Sequence, residues 1–139
     1  MTAYSDTIEV PTRGRGTREV TREVARVVTD SGIATGLCQV FARHTSAGVI
    51  IMENADPTVR DDLERLLAQL APDGWAEFRH RAEGDDDMPA HARTLLAGES
   101  VTAPVRDGRL ALGTWQGIFL WEHRADGHRR ELAVTVVGD

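Results

Sequence analysis

The sequence predicts one α+β domain over residues 1–139, with about three helices and a largely antiparallel sheet. The length suits a single core and is short for two ordinary domains. Runs with helical spacing alternate with strand-like runs up to Gly98, whereas the chain from Ser100 onward holds only strand-like runs separated by turn signals. This order is typical of an α+β fold.

The chain is expected to begin with a strand and a helix. Tyr4 to Thr12 alternates imperfectly and predicts a strand, at an edge of the sheet, that Pro11 stops. Thr17 is expected to cap the first helix, and Gly32 to end it in the left-handed conformation. Four valines at helical spacing form its apolar stripe: Val20, Val24, Val27 and Val28.

Two strand-like runs, Ile33–Arg43 and Val49–Met52, follow with the polar turn His44–Gly48 between them. Asp56 and Pro57 then predict a helix start, as the N-cap and the first helical residue. The apolar residues of this second helix are expected to form its buried stripe: Val59, Leu63, Leu66, Leu67 and Leu70.

The last third of the chain predicts a third helix and then strands. Asp87 is expected to cap the helix, Leu95 and Leu96 to anchor it, and Gly98 to end it. Four strands are expected: Val101–Val105, Leu110–Leu112, Ile118–His123 and Arg130–Val137. Hairpin turns are expected at Arg106–Arg109 and Ala125–Gly127.

Composition narrows the functional classes. The net charge of −6 argues against a nucleic-acid partner, and no lysine is present, so lysine-based chemistry is excluded. Cys38 lies in an apolar run, cannot form an internal disulfide and is expected in the core. No run approaches membrane-spanning length and the N-terminus lacks a signal-peptide pattern, so a cytoplasmic protein without a membrane partner is expected.

The most polar stretch is Phe78–His91, which contains two histidines, three consecutive aspartates and an arginine pair. Adjacent carboxylates repel one another unless cations or N–H groups take up the charge. Imidazole and carboxylate groups together suit a divalent metal ion, or a phosphorylated substrate held by one. The alternative is a solvated acidic turn that precedes a helix.

Three histidines, His44, His80 and His91, lie at the borders of predicted elements, where functional sites commonly form. Three imidazoles and a water molecule make an open catalytic zinc site. Their spacing matches no common zinc motif, and the alternative is that each histidine hydrogen-bonds a nearby carbonyl or hydroxyl group.

Other polar residues are candidates for binding an anion or a substrate. Thr45, Ser46 and the backbone of Gly48 form a turn that could hold an anion, and no nucleophile-elbow motif surrounds Ser46. Arg79 is an anion-binding candidate, with plain surface charge as the alternative. Gln116 lies between two glycines and two strands, where a bulge or a close backbone approach is expected.

Four segments resemble the signature segments of the YjbQ-like family, known as secondary thiamine-phosphate synthase enzymes. They are His44–Gly48, Glu53–Asp56, Gly84–His91 and Gly108–Gly117. The last two segments together are highly specific, and the resemblance covers nearly the whole chain. Glu83 stands where the family commonly has glycine, and this departure is not expected to touch a ligand.

The resemblance implies a homotrimer with clefts between subunits and weak thiamine-phosphate synthase activity. This reaction joins hydroxymethylpyrimidine diphosphate to a thiazole phosphate and releases pyrophosphate, and the native reaction is left open. The implied metal ligands are His44, His80 and His91. Zinc is the expected ion, with magnesium as an alternative that arrives with the substrate.

The remaining roles follow from the same resemblance. Asp86 and Asp87 are expected to bind a second metal ion or to orient the ligands. Glu53 is expected to act as an acid or base or to orient the substrate, and Arg79 to hold its phosphate. The residues expected to contact the substrate are Thr45, Ser46, Arg79 and Gln116.

Two alternatives to the transferase remain. One is a metal-dependent hydrolase of a phosphorylated small molecule, which would use the same ligands. The other is a non-catalytic trimeric module that binds a metal ion or a small ligand.

Overall fold

Eight strands form two antiparallel sheets in the computed structural model, which describes residues 1–139. The larger sheet contains, in spatial order, β1 (Thr2–Pro11), β8 (Arg129–Gly138), β3 (Gly36–Ala42), β5 (Ser100–Arg106) and β6 (Arg109–Leu110). The smaller sheet contains β2 (Gly16–Glu19), β7 (Gln116–Glu122) and β4 (Ala47–Glu53). The predicted α+β class is confirmed, and so is the edge position of β1.

Three helices complete the domain: α1 (Thr21–Ser31), α2 (Pro57–Leu70) and α3 (Asp87–Ala97). The valine stripe of α1 is buried, and Gly32 ends this helix at φ 69°. Asp56 caps α2 by accepting a hydrogen bond from the Thr58 N–H, and Pro57 follows it as predicted. None of the three helices is both long and apolar enough to cross a membrane.

The predicted cap at Thr17 is wrong. Thr17 lies in β2, where it pairs with Trp121 of β7, and α1 begins only at Thr21, after Val20. The sequence pattern does not predict β2, because this strand has only four residues and no alternation of apolar and polar residues.

One core contacts both sheets and α1. Alternate residues of β3 and β8 face it, as their period of two requires, and they pack with Val24 and Val28 of α1. The smaller sheet adds Leu120 and its neighbours. Cys38 belongs to this core as predicted, and burial raises the pKa of its thiol to about 11.

The predicted apolar anchors of α2 and α3 are largely wrong. Of the α2 stripe only Leu67 is buried, and Leu66 and Leu70 are exposed. On α3, Leu95 is 85% exposed and Leu96 is also exposed. The residues that α3 buries instead are mostly small or polar: Asp87, Pro89, Ala90, Arg93 and Thr94.

One of the two predicted hairpins is present. Asp107 and Gly108 join β5 to β6 with φ values of 51° and 75°, as a turn with two left-handed residues requires. The predicted hairpin at Ala125–Gly127 is wrong, because β7 pairs with β2 and β4 whereas β8 pairs with β1 and β3. This segment carries the chain from the smaller sheet to the larger one.

Helix α3 is held close to the start of β4. The Thr45 carbonyl, just before β4, lies 2.8 Å from His91 Nδ1 on α3. Gly48 lies against the Gly98 carbonyl, which ends α3, so closely that a Cβ added at Gly48 would be 2.2 Å from that oxygen. These two contacts fix α3 and the residues it carries against the smaller sheet.

We expect Gly48→Ala to lower the free energy of unfolding by about 1–3 kcal/mol, the usual cost of overpacking a tight contact. Urea denaturation measures the change. Gly113→Ala is the matched control, because a Cβ there would meet only the flexible side chain of Gln116, at 3.3 Å. Equal losses in the two variants would contradict this account of the contact between β4 and α3.

Candidate metal centre

Four side chains converge beside the start of α3: His80, Glu83, Asp87 and His91. One potential ligand atom of each lies within 4.8 Å of all the others. His80 and Glu83 lie in the segment between α2 and α3, whereas Asp87 and His91 are one turn apart on α3. Residues four apart share a helix face, which explains why these two meet.

The Asp87 carboxylate is the centre of this cluster. Its Oδ2 atom lies 2.6 Å from His80 Nε2 and 3.1 Å from His91 Nε2. Glu83 approaches the same histidine, with 3.4 Å between its Oε2 and His80 Nε2. The Asp87 side chain is 3% exposed, whereas His80 is open to solvent. The cluster is therefore buried at Asp87 and accessible to solvent at His80.

The hydrogen bond from His91 fixes its tautomer. The Thr45 carbonyl only accepts, so the hydrogen of a neutral His91 ring is on Nδ1 and the Nε2 lone pair faces Asp87. A lone pair and a carboxylate oxygen at 3.1 Å require a positive charge between them, either a proton or a metal ion. This second partner of a histidine is typical of metal ligands.

Arg124, in the segment after β7, orients the carboxylates. Its Nε donates to Asp86 Oδ2 at 2.9 Å, its Nη1 lies 3.0 Å from Asp87 Oδ1, and its Nη2 donates to the Glu83 carbonyl at 3.0 Å. Arg124 therefore occupies Oδ1 of Asp87, and Oδ2 contacts the two histidines. Asp86 also accepts from the Ala125 N–H.

The protonation of these groups follows from their neighbours. Burial raises the pKa of Asp87, but hydrogen bonds with His80 and Glu83 and the nearby positive charges outweigh it, so this pKa lies below its usual value. The hydrogen bond to Asp87 raises the pKa of His80 above 6.5. The ion pair with Arg124 lowers the pKa of Asp86 to about 2, so Asp86 is ionised at neutral pH.

The donor set fits a divalent metal ion. Two imidazole nitrogens and two carboxylates are common ligands of zinc and of similar transition metals. The atoms that a metal ion would join already converge on one side of Asp87, and the other carboxylate oxygen is occupied by Arg124.

The structure does not bring His44 into this cluster. Its Nε2 accepts a hydrogen bond from the Glu131 N–H at 2.7 Å, and its Nδ1 lies 3.5 Å from Arg130 Nη1. Since one ring nitrogen is occupied by the backbone and the other faces an arginine, the three-histidine ligand set is not formed within this chain.

The other predicted site residues lie in three places. Asp86 borders the cluster, and Thr45 contacts it through its carbonyl. Ser46 is buried and accepts from Arg130 Nη2 through its hydroxyl and its carbonyl. Arg79 is exposed beside His80 in the chain, outside the hydrogen bonds and ion pairs of the structure.

Glu53 and Gln116 are separated from the cluster. They pair at the far end of β4 and β7, six residues and about 20 Å along β4 from Ala47. The Glu53 carboxylate accepts from the N–H groups of Ala55 and Asp56, and Gln116 Oε1 accepts from the Gly113 N–H. Within the chain, both side chains stabilise turns.

Several site residues were not identified from the sequence. Glu83 does approach His80, contrary to the expectation that it would not touch a ligand candidate. It precedes α3, so helical spacing gave no signal for this contact. Arg124 carried no signal, because its partners are distant in the chain. His123 is fully buried with neither ring nitrogen hydrogen-bonded, and burial lowers its pKa to about 3.

Fold and site together define a class: a small α+β protein of two antiparallel sheets with an imidazole and carboxylate cluster at the start of its third helix. The family model described as UPF0047 protein YjbQ-like matches residues 6–139. The chain therefore belongs to the YjbQ-like (UPF0047) family.

Relatives and solved structures agree with this assignment. A UPF0047 protein of Synechocystis sp. is 48% identical over 136 residues, which cover 98% of this chain and 92% of that protein. The UPF0047 protein YjbQ of Salmonella typhimurium is 42% identical over 137 residues, with 98% and 99% covered.

Among solved structures, a YbjQ-like protein of unknown function from Sulfolobus solfataricus has a TM-score of 0.91 at 28% identity and covers 99% of both chains. A conserved hypothetical protein from Thermus thermophilus has a TM-score of 0.85 at 38% identity and covers 95% of this chain and 99% of its own. Both support the two-sheet architecture.

We expect Asp86→Asn to lower the free energy of unfolding at pH 7 by about 1 kcal/mol, because it removes the charge that pairs with Arg124. The folded-state pKa lies below the ordinary 3.8, so Asp86 stabilises the fold above that pH and its contribution is lost as the pH falls toward 2. The gap between wild type and variant should therefore close over that range in urea denaturation curves.

Asp85→Asn is the control, because Asp85 is exposed and outside the ion pairs of the structure. It removes a neighbouring charge without touching Arg124. A pH-independent gap for Asp86→Asn, or an equal effect of Asp85→Asn, would contradict the role of the ion pair.

Proposed function

We propose that this chain is an enzyme that binds a divalent metal ion through His80, Asp87 and His91, with Glu83 as a fourth ligand, and acts on a phosphorylated small molecule. The observation that carries the proposal is the convergence of two imidazole nitrogens on the single buried oxygen Asp87 Oδ2. A purely structural aspartate at a helix start needs neither histidine. Zinc is the proposed ion, and magnesium could instead arrive with the substrate.

The chain's own residues would prepare this site. Thr45 holds His91 in the tautomer that directs Nε2 into the cluster, and Arg124 directs one oxygen of Asp87 toward the same point. Arg79, free and next to His80, is the proposed phosphate contact. A bound divalent ion would supply a Lewis acid that stabilises the negative charge of a departing phosphate or pyrophosphate.

The family resemblance supports a specific reaction, weak thiamine-phosphate synthesis. Hydroxymethylpyrimidine diphosphate and a thiazole phosphate would be joined by a new carbon–nitrogen bond while pyrophosphate leaves. In this proposal Asp87 is a ligand, and Asp86, ionised and paired with Arg124, has an orienting role and no acid or base role.

A homotrimer is part of the same proposal. Large apolar side chains are exposed on α2, on α3 and at the end of the smaller sheet, and they support burial against other copies: Leu66, Leu70, Leu95, Leu96 and Trp115. Glu53 and Gln116 lie far from the cluster of their own chain. They could contact the substrate only in a cleft between two subunits. We propose a cytoplasmic location, which the unpaired Cys38 supports.

We expect His80→Ala and His91→Ala to lose bound metal, with affinity for zinc reduced by about 100-fold or more. The reason is the loss of a direct nitrogen ligand from an otherwise intact cluster. Metal content after purification without chelator, followed by zinc titration calorimetry, measures the effect. Both side chains are partly exposed, so the variants should fold.

His44→Asn and His128→Gln are the matched controls, because both histidines lie outside the cluster. They should retain full metal content. Retention of metal in His91→Ala would overturn the proposed ligand set, whereas loss of metal in His44→Asn together with His80→Ala and His91→Ala would favour the three-histidine site.

We expect the metal-loaded protein to release pyrophosphate from hydroxymethylpyrimidine diphosphate only when thiazole phosphate is present. Mass spectrometry of the products, together with a pyrophosphate assay, measures this coupling. Phosphate release from a panel of phosphorylated compounds without carbon–nitrogen bond formation would identify the hydrolase instead. Tight metal or ligand binding without turnover of any compound would identify the non-catalytic module.

A further inference from the structure

An open cleft of about 470 Å³ lies where β3 leads into β4, on the side of the His44–Ser46 turn that faces β8. Residues 41–46, Glu99 and Arg130 line it. The cleft contains none of the four metal-ligand candidates. Six of its eight lining residues are polar or charged, and the most buried of them is Arg130, which is 5% exposed.

Arg130 has two of its three nitrogens occupied. Its Nε donates to Glu122 Oε1 at 2.8 Å, and its Nη2 donates to Glu122 Oε2 and to Ser46. The remaining nitrogen, Nη1, has one polar neighbour, His44 Nδ1 at 3.5 Å. The guanidinium of this lining residue is thus held by its other bonds, and Nη1 is left beside His44.

His44 cannot serve as the acceptor for that nitrogen. Its Nε2 accepts the Glu131 backbone N–H at 2.7 Å, and an N–H group can only donate. Burial and the nearby Arg130 lower the pKa of His44, so the ring is neutral at pH 7. The single ring hydrogen is therefore on Nδ1, and two donors, Nδ1–H and Nη1–H, face each other across 3.5 Å.

Two unpaired donors that converge require an acceptor that both can reach. We propose that the Arg130–His44 cleft is a binding site for an oxyanion of a small molecule, with one anionic oxygen held between Arg130 Nη1 and His44 Nδ1. The Ser46 hydroxyl, which accepts from Arg130 and has its own hydrogen free, and the exposed Thr45 hydroxyl add donors at the same wall.

The charged groups around the cleft are largely paired with one another. A bound anion would therefore be held by hydrogen bonds and not by a net positive charge. Arg130 is paired with the buried Glu122, and the exposed Arg43 is paired with Glu131 at 3.2 Å. Glu99 adds an exposed carboxylate. Free phosphate should therefore bind weakly, through directed donors, and a larger molecule would gain further contacts with the half-exposed Phe41.

The cleft and the metal cluster share one turn. Thr45 lines the cleft and holds His91 through its carbonyl. If the proposed function is correct, this oxyanion site holds a phosphate group of the substrate whose reacting end lies at the metal ion. That link rests on the proposed function, whereas binding of an oxyanion to the cleft does not.

The test is a titration of the full chain, freed of metal by a chelator, with inorganic phosphate at constant ionic strength. Long-range proton–nitrogen spectra of the histidine rings report the His44 tautomer and its environment. The Nδ1–H tautomer is expected before phosphate is added, with a saturable shift of the His44 nitrogens at a Kd below about 10 mM. Chloride at equal ionic strength should produce no such shift.

Arg130→Lys keeps a cation for Glu122 but removes Nη1, and it should weaken phosphate binding about tenfold or more. Arg129→Lys is the matched control, because Arg129 is adjacent and exposed, and it should bind phosphate like the wild type. The proposal is overturned by the other tautomer, by a shift that chloride reproduces, or by equal affinities of the two variants. If Arg130→Lys does not fold, the wild-type titration alone decides, and metal content remains a separate measurement.

Discussion

The buried ion pair between Glu122 and Arg130 is the constraint on which both candidate sites depend. Glu122 ends β7 in the smaller sheet and Arg130 is the second residue of β8 in the larger one, so their hydrogen bonds join the two sheets where the chain crosses between them. Thr12 and the Arg124 N–H complete the carboxylate's partners. Removing one member of such a pair typically costs about 3–5 kcal/mol, because the other charge stays buried.

The crossing segment after Glu122 connects this pair to the metal-ligand candidates. Arg124 donates its backbone N–H to Glu122 and its guanidinium to the carboxylates of Asp86 and Asp87. Arg130, at the other end of the segment, holds Ser46 and faces the cleft. A displacement of the segment between β7 and β8 would therefore disturb Asp87 in the cluster and Arg130 in the cleft together.

Helix α3 inverts the usual arrangement of a surface helix. Its polar side chains are buried, with Arg93 donating to Glu64 of α2 at 2.8 Å, while its leucines face outward. Glu64 also accepts from the Trp121 indole, so α2, α3 and β7 meet through hydrogen bonds and not only through apolar contacts. This packing buries Asp87 and places His91 beside it, and it leaves the two leucines of α3 exposed.

The parts of the structure that were predictable from sequence are those with a local cause. The valine stripe of α1 and the strands of the core follow from periodicity, and His80, Asp87 and His91 were identified because they share one short segment. Helical periodicity could not tell which side of α2 and α3 faces this chain's own core. His44 was grouped with the other histidines because it borders a predicted element and because of the family resemblance. Its turn does reach His91, but through the Thr45 carbonyl. The partners of Arg124 and Arg130 depend on long-range packing that no local pattern records.

The reactivity of the Cys38 thiol also reports on opening motions of the domain. Its thiol is covered by the core at the centre of the larger sheet, and burial disfavours the thiolate, the form that reacts. A thiol reagent can reach it only when the core around it opens, so the rate of modification would follow the opening of that core. Fraying of α2 or α3 around the metal-ligand candidates would leave that rate unchanged. Local opening near the site and opening of the core can therefore be distinguished in the unmodified protein.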